Sequence, residues 1–282
     1  MNKLEPQLEK IRETQKESWN KSSQGWKKWD ETTMRFLKPL GDEMINLLQL
    51  KTNDHILDVA TGTGEPGLSM ASLVKDGKVI GTDLSTEMLI IARENASKRG
   101  ITNFETVCCD VSEMPFEDNT FDAISCRLGF MFFPDLQLAL RELIRILKPG
   151  GRISTTVWNV PEKNPWISIS MNTMISKLEL NPPPPGAPGL FRCASPGFMT
   201  NLFRTEGLKT IVEKEVQGNL VCDSLETYWS FITEVACPMA FKQADDAIKN
   251  LIKDEVLEKI QQVNPVRGIQ LGSSAIVISG EK

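Results

Sequence analysis

Residues 55–67 read HILDVATGTGEPG, a short apolar run that breaks into a glycine-rich turn. The run is too short for a helix and suits a buried strand. The glycines at 62 and 64 let backbone approach a ligand closely and turn sharply into a following helix, read here over Leu68 to Val74. Outward from this point the chain alternates. KVIGTDL (78–84) is a second strand, and Ser85 caps a helix running to Lys98, with Gly100 just past its end. NFETVCC (103–109) and FDAISCR (121–127) are the third and fourth strands. A helix over about 135–147 stops at Lys-Pro-Gly-Gly, and RISTTVW (152–158) is the fifth strand. Strands alternating with helices at this spacing predict an α/β fold, a Rossmann-like doubly wound parallel sheet.

The turn has two readings. Gly62-x-Gly64-x-x-Gly67, with Asp83 ending the next strand, also satisfies the dinucleotide fingerprint of a nicotinamide oxidoreductase. Three features oppose it. Asp58, four residues before the first glycine, would repel a pyrophosphate and suit a cationic ligand end. Asp110-Val111 after the third strand supplies an acceptor for an exocyclic adenine amine beside an apolar wall. Phe121-Asp122-Ala-Ile followed by Leu147-Lys-Pro-Gly-Gly-Arg gives the fourth strand, helix and fifth strand in a recurrent order.

As an ordered set over about residues 54–158, these motifs resemble the class I S-adenosylmethionine (SAM)-dependent methyltransferases, in particular the group that includes the ubiquinone/menaquinone-biosynthesis enzymes. The resemblance implies a seven-stranded sheet whose last strand, here near 269–279, is antiparallel. It implies SAM as cofactor and S-adenosylhomocysteine as product. By the same resemblance Asp58, Ala60, Thr61, Gly62 and Gly64 hold the methionine end and Asp83 the ribose. Leu84, Met88 and Val111 flank the adenine, Asp110 takes its amine, and Cys126 and Arg127 edge the methionine moiety. Ala60 stands where the pattern usually has glycine, and an ordinary negative φ is expected there.

The rest of the chain is read as a cap and a sheet completion. Residues 1–40 are helical and aromatic, with a second helix over about 41–50; 41–160 form the core. An insertion at 161–194 has a helix over 165–180 and the proline run Asn181-Pro-Pro-Pro-Pro-Gly-Ala-Pro. Residues 195–282 return to the core, with a helix opened by Ser195-Pro196 and running to about Glu206, a strand over about 208–217, helices over about 224–235 and 243–261, and the final strand. Residues 1–40 and the insertion would close over the strand ends. Trp26, Trp29, Phe130, Phe132 and Trp158 are the candidate acceptor wall.

Composition narrows the chemistry. A net charge of −5 over 282 residues gives no field for a phosphate backbone, so no nucleic-acid partner is expected. No apolar run reaches the roughly 18 residues of a membrane helix, and the polar N-terminus resembles neither signal nor transit peptide, which leads to the expectation of a cytoplasmic protein. The six cysteines form no CxxC pair, and Cys108 and Cys109 diverge along a strand. Both are expected buried, with neither a metal nor a thiol cluster for a thiophilic element. His55, the single histidine, begins the first strand at the end away from the glycine turn, so it offers no catalytic base. The expected activity is methyl transfer to a small-molecule N, O, S or C nucleophile by proximity, with Tyr228 or a carboxylate assisting at most. The alternatives are a catalytically silent SAM-binding module and a NAD-dependent oxidoreductase.

Overall fold

The computed structural model describes residues 5–181, 184, 186–237, 244–264 and 268–282; Pro182, Pro183 and Pro185 of the proline run lie outside them. Strands β1 (His55–Val59), β2 (Lys78–Asp83), β3 (Phe104–Cys108), β4 (Phe121–Arg127), β5 (Leu147–Trp158), β6 (Lys209–Cys222) and β7 (Ile269–Glu281) form one sheet in the order β3-β2-β1-β4-β5-β7-β6. The first five are parallel, and β7 runs antiparallel to both β5 and β6. Ile56, Leu57 and Val59 are buried, as a central parallel strand covered on both faces requires.

The helices between the strands are α3 (Gly67–Leu73), α4 (Thr86–Lys98) and α5 (Leu136–Ile146). Ser85 Oγ accepts the Met88 N–H at 3.1 Å, and Gly100 has φ +67°, so α4 starts and stops where the sequence places it. Asp135 caps α5, whose Leu136, Ala139, Leu140, Leu143 and Ile146 lay one apolar stripe on the sheet. The fifth strand begins earlier than expected, at Leu147, because Leu147 pairs with Phe121 across a register shift.

The expected second helix over 41–50 also starts earlier. Helix α1 (Glu5–Lys28) and α2 (Asp30–Leu48) follow each other almost without a break, and α2 runs through Pro39. The later helices are α6 (Pro165–Lys177), α7 (Phe198–Thr205), α8 (Leu225–Phe231) with a π turn over Ile232–Ala236, and α9 (Asp246–Val263). Ser195-Pro196 does not open α7, since Gly197 at φ +71° precedes its first turn. The strand order reverses between β1 and β4, which opens a crevice at their C-terminal ends.

Candidate functional site

The turn after β1 is held by one carboxylate. Asp58 Oδ2 accepts Thr61 Oγ1–H at 2.6 Å and the Gly67 N–H at 3.1 Å, and Oδ1 accepts Ser125 Oγ–H at 2.5 Å. Burial pushes this carboxyl up to about 6, against the pull of those bonds. Asp58 is fully buried and does not face the crevice: it ties β1, β4 and the start of α3 together, which corrects its expected contact with a ligand. Ala60 is a second correction. Its φ is +52°, the region glycine prefers, because the Thr61 N–H must reach the Thr82 carbonyl at 2.9 Å and Ala60 Cβ packs against Gly129. Gly62, at φ +55°, borders the crevice, and a Cβ there would meet no protein atom within 4 Å. Gly64, at φ +112°, packs against Leu68 away from the crevice.

The crevice deepens into a cavity of about 400 Å³, the size of a small-molecule site. On one side of Gly62, Asp83 ends β2. Its Oδ2 accepts the Gly62 N–H at 3.0 Å and its Oδ1 the Ser85 N–H at 2.8 Å, while burial pushes the carboxyl up to about 6. Each carboxylate oxygen keeps acceptor capacity for a further donor. Leu84, Met88, Asp110 and Val111 line the same end. Asp110 Oδ1 accepts the Ser112 N–H at 2.7 Å, and Oδ2 lies 2.8 Å from Arg12 Nε of α1, an ion pair the sequence reading missed. Thr61 and Ala60 also line this half, and the Thr82 hydroxyl is buried with no hydrogen-bond partner.

On the other side of Gly62, Arg127 ends β4 and borders the cavity. No ion pair or hydrogen bond holds its guanidinium among the described residues. Burial lowers its pKa, while Glu65, Asp58 and Asp30 favour the charge. Cys126 does not reach the cavity; it is fully buried behind Gly129.

The opposite half is apolar. Trp26, Phe132 and Trp158 line it as expected positions, joined by Trp19, Phe36, Met131, Trp166, Phe231 and Val235. Trp29 and Phe130 do not line it. Trp29 turns to Glu234, donating Nε1–H to Oε2 at 2.9 Å, and meets Phe231 edge-on. Phe130 is fully buried against Phe133 and Phe203. Tyr228 is likewise out of reach: its hydroxyl donates to the Trp166 carbonyl at 3.0 Å and lies 2.7 Å from Ser170 Oγ. Cys108 is exposed rather than buried, and Cys109 lines the cavity with its thiol pushed up to about 12 by burial. His55 pairs with the N-terminal end of β2 and stays outside the cavity.

Part of the lining that was missed carries one signal. Arg12, Trp19 and Thr33, with the expected Trp26 between them, recur every seven residues, nearly two helical turns, so the α1–α2 segment presents them on one face. The contribution of residues 231–237 carries no such pattern.

Residues 56–151 match the family described as the methyltransferase domain. Over 119 residues, 38% are identical to the demethylmenaquinone methyltransferase of Thermus thermophilus, covering 42% of this chain and 54% of that protein. Over 114 residues, 40% are identical to the ubiquinone/menaquinone biosynthesis C-methyltransferase UbiE of Cellvibrio japonicus, covering 40% of this chain and 46% of that one. The chain thus spans about half the length of the curated relatives it matches. A SAM-dependent methyltransferase of Aquifex aeolicus shares the fold, with a TM-score of 0.53 and 23% identity over 70% of this chain and 92% of that one. Over residues 56–151 the chain matches a methyltransferase domain, and it resembles the class I SAM-dependent methyltransferases, within them the ubiquinone/menaquinone-biosynthesis group.

Proposed function

We propose that this protein binds SAM in the polar half of the cavity and transfers its methyl group to a small molecule held in the apolar half. The observation that carries the reading is the pairing around Gly62: an acceptor carboxylate, Asp83, on the β2 side and, on the β4 side, the Arg127 guanidinium, which no described residue holds by hydrogen bond or ion pair. Asp83 suits two ribose hydroxyls, and Arg127 suits a carboxylate of the kind the methionine moiety carries. Leu84, Met88 and Val111 offer apolar contact to an adenine, and Asp110 an acceptor for its amine. Ala60, Thr61 and Gly62 line the wall between these ends. Bound SAM would supply an electrophilic methyl on its sulfonium.

Neither histidine nor tyrosine lines the cavity among the described residues. The protein's part is therefore to orient an acceptor that is already nucleophilic and to exclude water. Residues 1–40 and 161–194 act as the cap over the 41–160 and 195–282 core: α1, α2 and α6 each place side chains in the cavity. The relatives named for demethylmenaquinone make a quinone-type ring the first acceptor to try. The acceptor half, however, draws on α2, α6 and residues 231–237, outside the matched domain. The acidic balance favours a small molecule over nucleic acid, and a cytoplasmic setting suits the chemistry; no described helix is long and apolar enough to cross a membrane.

Titration with S-adenosylhomocysteine, followed by the fluorescence of the lining tryptophans, tests the cofactor end. Asp83→Ala should raise the dissociation constant tenfold or more, the loss of a charged hydrogen-bonding partner worth about 1.5–3 kcal/mol. An unchanged constant would remove Asp83 from the site.

A further inference from the structure

The polar end of the cavity is completed from outside the matched domain. Helix α1, which precedes residues 56–151, lines it with Arg12, Ser18 and Trp19. Among the described residues, Arg12 is the one charged side chain that α1 gives to the cavity. Its Nε lies 2.8 Å from Asp110 Oδ2, and the two side chains are 23% and 12% exposed. Little water screens a pair so covered, so its members hold each other more firmly than a surface pair does. Asp110 is fixed independently, since Oδ1 accepts the Ser112 N–H at 2.7 Å.

The pair is not closed on itself. The Arg12 Nε is buried, yet its N–H makes no hydrogen bond among the described residues; the carboxylate is close to it but not in line with it. Nη1 is taken by Glu9, and no described residue accepts from Nη2. A buried donor left unmatched is unfavourable, and in native proteins such a group commonly awaits a water or a ligand. Asp110 Oδ2 also keeps acceptor capacity beyond its contact with Arg12. A donor and an acceptor therefore stand side by side at this end.

That combination fits the edge of a purine. Adenine offers its amine as donor beside a ring nitrogen as acceptor. A 6-oxopurine offers N1–H as donor beside O6 as acceptor, and arginine pairs with O6 and N7 of guanine in nucleic acids. A carboxylate alone would take the adenine amine and repel O6.

We infer that Arg12 is a second base-reading residue beside Asp110, donating to a ring nitrogen of adenine or to O6 of a 6-oxopurine, so that the site takes both. The inference rests on the SAM reading for placing a purine at Asp110.

The test is calorimetric titration of the full chain with S-adenosylhomocysteine and its 6-oxo analogue, S-inosylhomocysteine, for wild type, Arg12→Met and Lys27→Met. Lys27 pairs with Glu94 and does not line the cavity, so its variant loosens α1 without touching the base. Wild type should bind the two ligands within about tenfold of each other. Arg12→Met should lose about three- to tenfold for S-adenosylhomocysteine and about a hundredfold for S-inosylhomocysteine, whose O6 then faces a bare carboxylate. Lys27→Met should keep the ratio of the two affinities within about twofold of wild type. Rejection of S-inosylhomocysteine by wild type by more than about a hundredfold, or a ratio that Arg12→Met leaves unchanged, would overturn the inference. So would the same change of ratio in Lys27→Met, which would trace the effect to the docking of α1. Asp110→Ala separates this inference from the reading beneath it. If that variant binds S-adenosylhomocysteine as wild type does, or wild type does not bind it, the placing of the purine falls; if Asp110→Ala weakens binding and the Arg12→Met ratio stays fixed, only the role of Arg12 falls.

Discussion

Asp58 and Asp83 end neighbouring strands, yet their carboxylates have different surroundings. Asp58 is enclosed by Thr61, Gly67 and Ser125, whereas Asp83 reaches the cavity. For Asp58 the folded pKa, about 6, lies above the ordinary 3.8. The folded state therefore binds its proton before the unfolded chain does, so this residue's contribution rises as pH falls through 6 and is lost as pH rises. Denaturant melts of wild type and Asp58→Asn should show their stability difference moving toward wild type between pH 7 and 4; a pH-independent difference would contradict the shift. Ala60, at φ +52°, gives a second prediction. Ala60→Gly relieves a left-handed alanine at the expense of a looser unfolded chain, for a net gain of about 0.5–1 kcal/mol in a denaturant melt. Sequence alone could place both residues in the turn, but not orient them. The number of donors around a carboxylate depends on α3 and β4, whose donors lie nine and sixty-seven residues away from Asp58.

At the level of elements, α2 is where propensity and packing part. A proline at 39 argues for a helix beginning after it, since proline removes a backbone donor and crowds the preceding turn. The helix nevertheless spans Asp30–Leu48, because Thr33, Phe36, Leu37, Leu40 and Met44 form a buried stripe against the sheet. Burial of that stripe outweighs the proline penalty. Pro39 is itself exposed, so Pro39→Ala should stabilise the protein by about 1–2 kcal/mol, read as a higher melting temperature. A lower one would mean the bend is needed for packing. Helix α1 is different again: it is polar and reaches the core through specific pairs, Arg12 with Asp110, Asn20 with Ser85 and Lys27 with Glu94. The tryptophans in it were legible as cap residues, while the polar pairs were not, because each partner comes from a distant strand end or helix. The same distance hid the roles of Trp29 and Phe130, which satisfy neighbours outside the cavity.

For the whole molecule, the strongest sequence signals were those repeated along the chain. The strand-turn-helix rhythm from His55 to Trp158 yields the parallel half of the sheet, and the resemblance supplies the antiparallel β7 found between β5 and β6. The polar end follows from that topology, since the crevice opens at the strand ends where the strand order reverses. The apolar end follows only in part: Trp26, Phe132 and Trp158 were legible, while the contributions of α6 and residues 231–237 come from segments with no motif in common with them. On the proposed function the crevice takes SAM and not a dinucleotide. Calorimetric titration of the full chain with SAM, S-adenosylhomocysteine and NAD in parallel tests it most directly. Micromolar binding of the first two and none of NAD is the expected outcome; binding of NAD alone would overturn the SAM assignment.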